Sequence, residues 1–133
     1  MRVKSRKFTQ LRNAHHREKA EDYVEMIQDL ADQQGEARLT DVAKRFGVST
    51  VTAHKILFRL QREKWITSKP YRAIFLTPRG KRLAMESKRR HKIVYQFLKK
   101  IGVPEEIAQI DAEGMEHHVS SETLKILRRR LKK

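Results

Sequence analysis

Apolar residues in the first third of the chain recur at every third or fourth position, which is the spacing of one face of an α-helix. This stripe consists of Ala20, Tyr23, Val24, Ile27, Leu30 and Ala31. It predicts a helix over residues 14–34, ended by Gly35. A shorter helix with Thr40-Asp41 as its N-cap signal is expected next, and Ser49 is placed to cap a third helix that runs to about Glu63.

Two short apolar runs after the third helix have the composition of strands rather than helices. They are Trp65–Thr67 and Ala73–Leu76, and they flank a basic turn at residues 68–72. Three helices followed by a two-stranded hairpin is the element order of a winged helix-turn-helix. We therefore assign residues 14–77 to a winged helix-turn-helix DNA-binding domain, preceded by a basic arm at residues 1–13.

The remainder of the chain predicts helices only. Thr77-Pro78 combines an N-cap with proline at the first helical position and opens a long helix that reaches about Ile101. Residues 78–133 thus form a helical domain, and the predicted fold class is mainly α, with an N-terminal winged helix-turn-helix, a small two-stranded wing and a C-terminal helical domain. The modest apolar content of 38% indicates that a second subunit completes the core, with Leu124 and Leu127 among the expected contacts.

Charge narrows the classes of function. Lys and Arg number 31 against 16 Asp and Glu, a formal net charge of +15, which points to nucleic acid or an anionic membrane surface. No apolar run approaches the roughly 18 residues of a membrane span, and no signal peptide is visible. The chain has no Cys, which excludes disulfides and thiolate metal sites. We expect a cytoplasmic protein that does not enter the membrane.

The third helix is the predicted recognition helix for double-stranded DNA. Its outward positions offer small hydroxyls and cationic groups suited to base edges: Ser49, Thr50, Thr52, His54 and Lys55. Lys55 and Arg59 are expected to reach phosphates, which set position rather than sequence. In the wing, the residues expected to meet the flanking backbone or minor groove are Lys69, Tyr71 and Arg72.

Residues 113–118 read Glu-Gly-Met-Glu-His-His in a chain otherwise rich in Lys and Arg. On a helix, Glu113, Glu116 and His117 stand at i, i+3 and i+4 and project from one face. Oxygen and imidazole ligands that converge on one point suit a divalent first-row metal. The alternative is a solvated acidic face. Upstream, the i, i+3 spacing recurs in a second acidic pair, Asp22 and Glu25.

Several motifs together resemble the manganese transport regulators of the diphtheria-toxin-repressor family. They are Asp22-Tyr23-Val24-Glu25, Arg90-His91 and Ala112-Glu113-Gly114-Met115-Glu116-His117-His118-Val119-Ser120, and the resemblance covers residues 15–127. It implies a homodimer that binds DNA with metal as its co-repressor. It further implies two close metal ions per subunit, held by Asp22, Glu25, His91, Glu113, Glu116 and His117. His91 enters this set through the resemblance alone, because its neighbours form a basic stretch.

Donor chemistry favours manganese among the possible metals. Carboxylates and imidazoles without sulfur favour hard cations such as Mn(II), although Zn, Fe, Co and Cd are expected to substitute. Iron-responsive members of the resembled family carry Met and Cys where this chain has Asp22 and Glu116, which also favours Mn(II). Ligands from the first helix and from the C-terminal helices would let the metal bridge the two domains and fix a DNA-competent dimer.

The sequence therefore predicts a metal-activated repressor of metal uptake genes that binds a palindromic operator as a homodimer. Two alternatives stay open. The first is a winged-helix regulator whose acidic cluster is purely structural. The second is a two-metal hydrolase acting on nucleic acid, since clustered carboxylates also build such catalytic sites. No additional general base stands out beside the metal ligands, so we expect no enzyme activity.

Overall fold

The computed structural model describes residues 19–68 and 73–132. Two compact units divide the chain, one at Lys19–Met85 and one that contains residues 86–132. The helices are α1, described over residues 19–34, followed by α2 (Leu39–Phe46), α3 (Thr50–Arg62), α4 (Pro78–Lys100), α5 (Glu105–Met115) and α6 (Ser121–Leu131). The strands are β1 (Ile66–Thr67) and β2 (Phe75–Leu76). The predicted fold class is confirmed, while the arm at residues 1–13 lies outside the described residues.

The start of α2 differs from the sequence prediction by two residues. Thr40 and Asp41 were expected to cap this helix, but the N-cap is Arg38 and α2 begins at Leu39. The carboxylate of Asp41 instead accepts a hydrogen bond from the backbone N–H of Arg38, 3.1 Å away. An acid at the third helical position satisfies an amide at the helix start that has no partner within the helix, so Asp41 stabilises the same terminus from inside it.

Helix α3 begins where the sequence predicted. Gly47 ends α2 with φ at 66°, a left-handed conformation that glycine adopts without a Cβ clash. Two residues later the Ser49 hydroxyl accepts a hydrogen bond from the backbone N–H of Thr52, 3.1 Å away. The left-handed turn reverses the chain between α2 and α3, and the serine cap starts the second of these helices.

The wing is short and is connected to the helices at its base. Strands β1 and β2 are antiparallel, with Ile66 opposite Leu76 and Thr67 opposite Phe75. Ile74 forms a further bridge to Ala37, which ties the hairpin to the α1–α2 connection. The wing residues Lys69, Tyr71 and Arg72 lie outside the described residues.

The first unit is built around α1. Its apolar stripe is buried, as predicted, together with residues from α2, α3 and the hairpin: Val24, Ile27, Leu30, Val42, Leu57, Leu60, Ile66 and Ile74. Tyr23 stacks on Phe46 with ring centroids 4.0 Å apart. Burial raises the pKa of the Tyr23 phenol, and the neighbouring charge of Asp22 adds to the effect.

The second unit packs the end of α4 against α5 and α6. Its buried residues are Ile93, Val94, Leu98, Ala108, Ala112 and Leu124, with Leu127 partly buried beside them. Leu124 and Leu127 contribute to this core, and the subunit contact expected on the long helix and on the helix that holds them stays a prediction. Ser120 caps α6 as predicted, because its hydroxyl accepts a hydrogen bond from Thr123 N–H at 3.2 Å. Among the described helices, none combines the length and apolar character required to cross a membrane.

The backbone is closely packed where the wing meets the start of α4. Thr77 caps α4 by accepting a hydrogen bond from Gly80 N–H at 3.1 Å, and the Thr77 hydroxyl also lies 3.0 Å from the carbonyl oxygen of Trp65. A Cβ added at Gly80 would press against that same carbonyl oxygen, well inside van der Waals distance. Gly80 is therefore required by close packing between the helix and the start of the hairpin.

We predict that Gly80→Ala lowers the free energy of unfolding by about 1–3 kcal/mol, the usual cost of overpacking. Helix propensity alone would favour alanine by about 1 kcal/mol, so the expected sign is set by the clash. Gly114→Ala on α5 is the matched control, because a Cβ at that position meets nothing within 4 Å. Urea unfolding of metal-free protein measures both. Equal stability of the two variants would contradict the packing argument.

Candidate metal centre and nucleic-acid interface

Three predicted metal ligands of the second unit converge on one point. One ligand atom from each of His91, Glu113 and Glu116 lies within 4.8 Å of the others. Nδ1 of His91 is 3.4 Å from Oε1 of Glu113 and 3.3 Å from Oε2 of Glu116. A nitrogen and two carboxylate oxygens at these separations are close enough to share one cation after small side-chain movements.

The three residues differ in their exposure. The carboxylate side chain of Glu116 is 0% exposed, whereas that of Glu113 is 61% exposed. Nδ1 of His91 is buried and forms no hydrogen bond within the described residues. A buried carboxylate beside a buried imidazole nitrogen requires positive charge, either a proton or a metal ion. The donors therefore fit a divalent cation, with Glu113 at its solvent side.

His117 approaches the same carboxylate from another direction. Its side chain is 1% exposed, and its Nε2 lies 3.4 Å from Oε1 of Glu116. The two oxygens of Glu116 therefore face two different imidazoles, His91 and His117. This arrangement is suited to a carboxylate that bridges two cations.

The predicted continuous helical face needs a correction. The i, i+3, i+4 argument assumed one helix through Glu113, Glu116 and His117, but α5 ends at Met115. Glu116 keeps helical angles, φ −56° and ψ −32°, and His117 lies in the turn that follows. The N–H of Glu116 still donates to the carbonyl oxygen of Ala112 at 3.0 Å, so Glu113 and Glu116 keep the predicted helical spacing and only His117 lies beyond the helix.

Two neighbouring residues that the sequence analysis did not select also contact this cluster. Nε2 of His91 lies 3.0 Å from Oε1 of Gln109, one helical turn before Glu113 on α5. Arg90 donates a hydrogen bond from Nη1 to the backbone carbonyl oxygen of Glu116 at 3.3 Å. The i, i+4 spacing of Gln109 and Glu113 places both side chains on one side of α5. This spacing points to a shared contact only once His91 is known to lie between them.

The other two predicted ligands belong to the first unit. Asp22 and Glu25 both lie on α1 and are half-buried there. Their i, i+3 spacing on a helix is as predicted. Their participation in the metal centre remains a prediction.

Helix α3 and its cap expose all the DNA-contacting residues predicted for this helix. They are Ser49, Thr50, Thr52, His54, Lys55 and Arg59. The hydroxyls of Ser49 and Thr52 are engaged with each other, 3.0 Å apart, as part of the helix cap. Arg59 donates from Nε to Glu63 at 3.2 Å, so a phosphate would have to compete with this ion pair. The sequence analysis also missed two exposed apolar residues of α3, Val51 and Phe58.

Two family models match nearly the whole chain. Residues 15–74 match the N-terminal DNA-binding domain of the iron-dependent repressors, and residues 77–133 match the metal-binding and dimerisation domain of the same family. The matched DNA-binding domain contains α3 and β1, and the matched metal-binding domain contains the cluster at His91.

Curated relatives agree with the family models. The chain is 56% identical over 117 residues to the transcriptional regulator MntR of Salmonella typhimurium, covering 88% of this chain and 74% of that protein. It is 54% identical over 121 residues to MntR of Escherichia coli O157:H7, covering 91% and 78%. The HTH-type transcriptional regulator MntR of Bacillus pumilus is 38% identical over 100 residues, covering 75% and 69%.

Solved structures give the same result for the fold. A manganese-dependent transcriptional repressor in complex with manganese matches with a TM-score of 0.75 and 28% identity, over 85% of this chain and 52% of that one. IdeR of T. acidophilum matches with a TM-score of 0.73 and 27% identity, over 85% and 54%. The chain thus spans about half the length of these structures.

The relatives are transcriptional regulators rather than enzymes, which sets the hydrolase alternative aside. Both domains of the family are matched, one at residues 15–74 and one at residues 77–133. Helix α3 lies in the first, and the buried cluster of carboxylate and imidazole groups lies in the second. The chain belongs to the iron-dependent repressors, the diphtheria-toxin-repressor family of metal-dependent, DNA-binding transcriptional regulators.

Proposed function

We propose that this chain is a Mn(II)-activated repressor of metal uptake genes. The observation that carries the proposal is the fully buried carboxylate of Glu116, which has the imidazole Nδ1 of His91 at 3.3 Å. Such a group stabilises the metal-loaded protein and is costly without positive charge beside it. A metal ion that compensates the charge of Glu116 should therefore stabilise the folded protein strongly.

The proposed ligands are Asp22, Glu25, His91, Glu113, Glu116 and His117, with two ions per subunit. The contacts among His91, Glu113, Glu116 and His117 support four of them. For Asp22 and Glu25 the support is the family resemblance together with their spacing on α1. When bound, the ions supply positive charge that neutralises the carboxylates.

Manganese is the proposed physiological metal. Carboxylate oxygens and imidazole nitrogens without thiolate suit Mn(II), and the relatives' names, MntR and manganese-dependent repressor, support the same choice. Zn, Fe, Co and Cd are proposed as substitutes in vitro, since most divalent first-row metals bind such donors at least as tightly as Mn(II). Selectivity would then rest on geometry and on metal availability in the cell.

DNA binding is assigned to the proposed domain at residues 14–77, and dimerisation to residues 78–133. Thr50 and His54 are the best-placed base-reading candidates on α3, because their side chains are exposed and the structure gives them no part in the helix cap. The basic arm at residues 1–13 and the wing residues Lys69, Tyr71 and Arg72 are proposed to add phosphate or groove contacts. A DNA regulator acts beside the chromosome, so a cytoplasmic location forms part of this proposal.

We further propose that a homodimer reads a palindromic operator. The second unit exposes several large apolar side chains that its own core does not use: Ile101, Ile107, Ile110, Met115 and Ile126. Exposed apolar residues at this density are typical of a surface that associates with another chain. A two-fold dimer presents two α3 helices to the DNA and so favours two inverted half-sites.

The metal proposal is tested first by linkage between metal binding and unfolding. Mn(II) at about 100 times its dissociation constant is expected to raise the free energy of unfolding of the parent protein by about 2.7 kcal/mol for each ion bound. Glu116→Gln keeps the shape of the buried side chain but removes its charge, and we expect it to lose most of this gain. Urea unfolding with Mn(II) and with chelator measures the difference.

Glu106→Gln is the control for this experiment, because Glu106 is exposed in the first turn of α5. It should retain the parental response to Mn(II). A parent protein that gains no stability from Mn(II) would favour the alternative in which the acidic cluster is purely structural.

The second test concerns metal-dependent DNA binding. DNA duplexes selected from a random pool with Mn(II) present are expected to contain inverted half-sites about one helical turn, or a multiple of it, apart. Affinity for a selected duplex should fall at least tenfold when chelator replaces Mn(II), because metal and DNA favour the same state of the protein. Fluorescence anisotropy measures this. Unchanged affinity in chelator would show that metal is not the switch.

The third test separates phosphate contacts from base contacts on α3. Lys55→Ala should weaken binding to selected and unrelated duplexes alike and reduce the salt dependence of the logarithm of the binding constant by about 2, because each subunit of the dimer loses one contact. Lys125→Ala, an exposed position on α6, is the matched control. Loss of binding to the selected duplex alone would instead assign Lys55 to base recognition.

A further inference from the structure

Gln109 and Glu113, both on α5, each contact one of the two ring nitrogens of His91. They stand one turn apart on α5, at i and i+4, and their side chains lie on the same side of that helix. Oε1 of Gln109 is 3.0 Å from Nε2 of His91, and Oε1 of Glu113 is 3.4 Å from Nδ1. The imidazole of His91, which lies on α4, therefore has the Gln109 amide beside one ring nitrogen and the Glu113 carboxylate beside the other.

The contact with Gln109 indicates which ring nitrogen of His91 carries the proton. An amide oxygen has no hydrogen to donate, so a hydrogen bond between Oε1 and Nε2 requires the proton to reside on Nε2. A neutral imidazole carries one ring proton only, and Nδ1 then presents a lone pair. That lone pair faces the carboxylates of Glu113 and Glu116.

This tautomer is unfavourable unless a cation is shared at Nδ1. With no cation present, the opposite tautomer would donate Nδ1–H to a carboxylate oxygen 3.3 or 3.4 Å away and relieve the repulsion. The acceptor at Nε2 opposes that rearrangement. The arrangement in the structure is thus the one in which His91 is ready to bind a metal.

We propose that Gln109 is a positioning residue that holds His91 in the Nε2–H tautomer, so that Nδ1 is the nitrogen offered to the metal. The inference rests on the proposed function, because it assigns His91 as a ligand. Hydrogen bonds that orient ligating histidines commonly change metal affinity by 10-fold to 100-fold when they are removed. Gln109 itself contacts the ring and not the metal.

Three variants of the full chain test the proposal. Gln109→Leu removes the hydrogen-bond acceptor opposite Nε2 of His91 while keeping a side chain of similar size. Gln109→Glu keeps an acceptor at that position, and an ionised carboxylate has no hydrogen to donate. Gln96→Leu, at an exposed position on α4, is the control for loss of a surface amide. Nitrogen-15 NMR of metal-free protein, recorded over a pH series so that the neutral ring is identified directly, reports the tautomer of His91. Calorimetry with Mn(II) reports affinity.

In the parent and in Gln109→Glu we expect the Nε2–H tautomer to predominate at His91. In Gln109→Leu the population should shift toward Nδ1–H, and Mn(II) affinity should fall about 10-fold with thermal unfolding of the metal-free protein unchanged. Gln96→Leu should match the parent in both measurements. A change in packing alone would not move the tautomer and would not be reversed by the glutamate.

An unchanged His91 tautomer in Gln109→Leu, or Mn(II) affinity within twofold of the parent, would overturn this inference while leaving the metal site intact. A parent protein that binds no Mn(II) would instead overturn the proposed function. The two failures are therefore distinguishable in the same set of titrations.

Discussion

The burial of the Glu116 carboxylate is the constraint on which the second unit depends. A carboxylate with 0% exposure requires positive charge nearby, and the structure places His91 beside one of its oxygens and His117 beside the other. Arg90 adds a hydrogen bond to the backbone carbonyl of Glu116, which helps to fix the residue at the end of α5. Because removal of a buried ionic partner is far more costly than loss of an exposed one, this site can respond strongly to one bound ion.

The burial of Glu116 depends on the packing of α5 against α4, which supplies His91. Glu116 follows Met115, the last residue of α5, and its N–H still donates to the carbonyl oxygen of Ala112 at 3.0 Å, so it keeps a helical position. The chain then turns toward Ser120, whose hydroxyl caps α6. Glu113 is exposed on α5, while Glu116 and His117 are buried. The cluster therefore has a buried and a solvent-facing side.

The two units provide complementary halves of a regulator. The first has an exposed α3 whose start is fixed by Gly47 and Ser49, so that its cap uses some of the hydroxyls that seemed available for DNA. The second has the buried donors. If metal binding favours the DNA-binding state, then DNA must increase metal affinity by the same factor, since linkage between two binding events is reciprocal. Family membership implies both activities, and the cluster at Glu116 and the exposed side of α3 hold the residues proposed for them.

The sequence by itself determined the secondary structure and the chemistry of the donors. Apolar periodicity, Ser49, Thr77-Pro78 and Ser120 specify helices and their starts because capping and side-chain spacing are local. Cap placement at α2 was wrong because an acid can satisfy the same amides from the third helical position as from the cap itself. Only the tertiary structure decided that Glu116 is buried while Glu113 is not, and that Gln109 meets His91. Both depend on packing of α5 against α4, and residues 18 positions apart leave no periodic signal in the sequence.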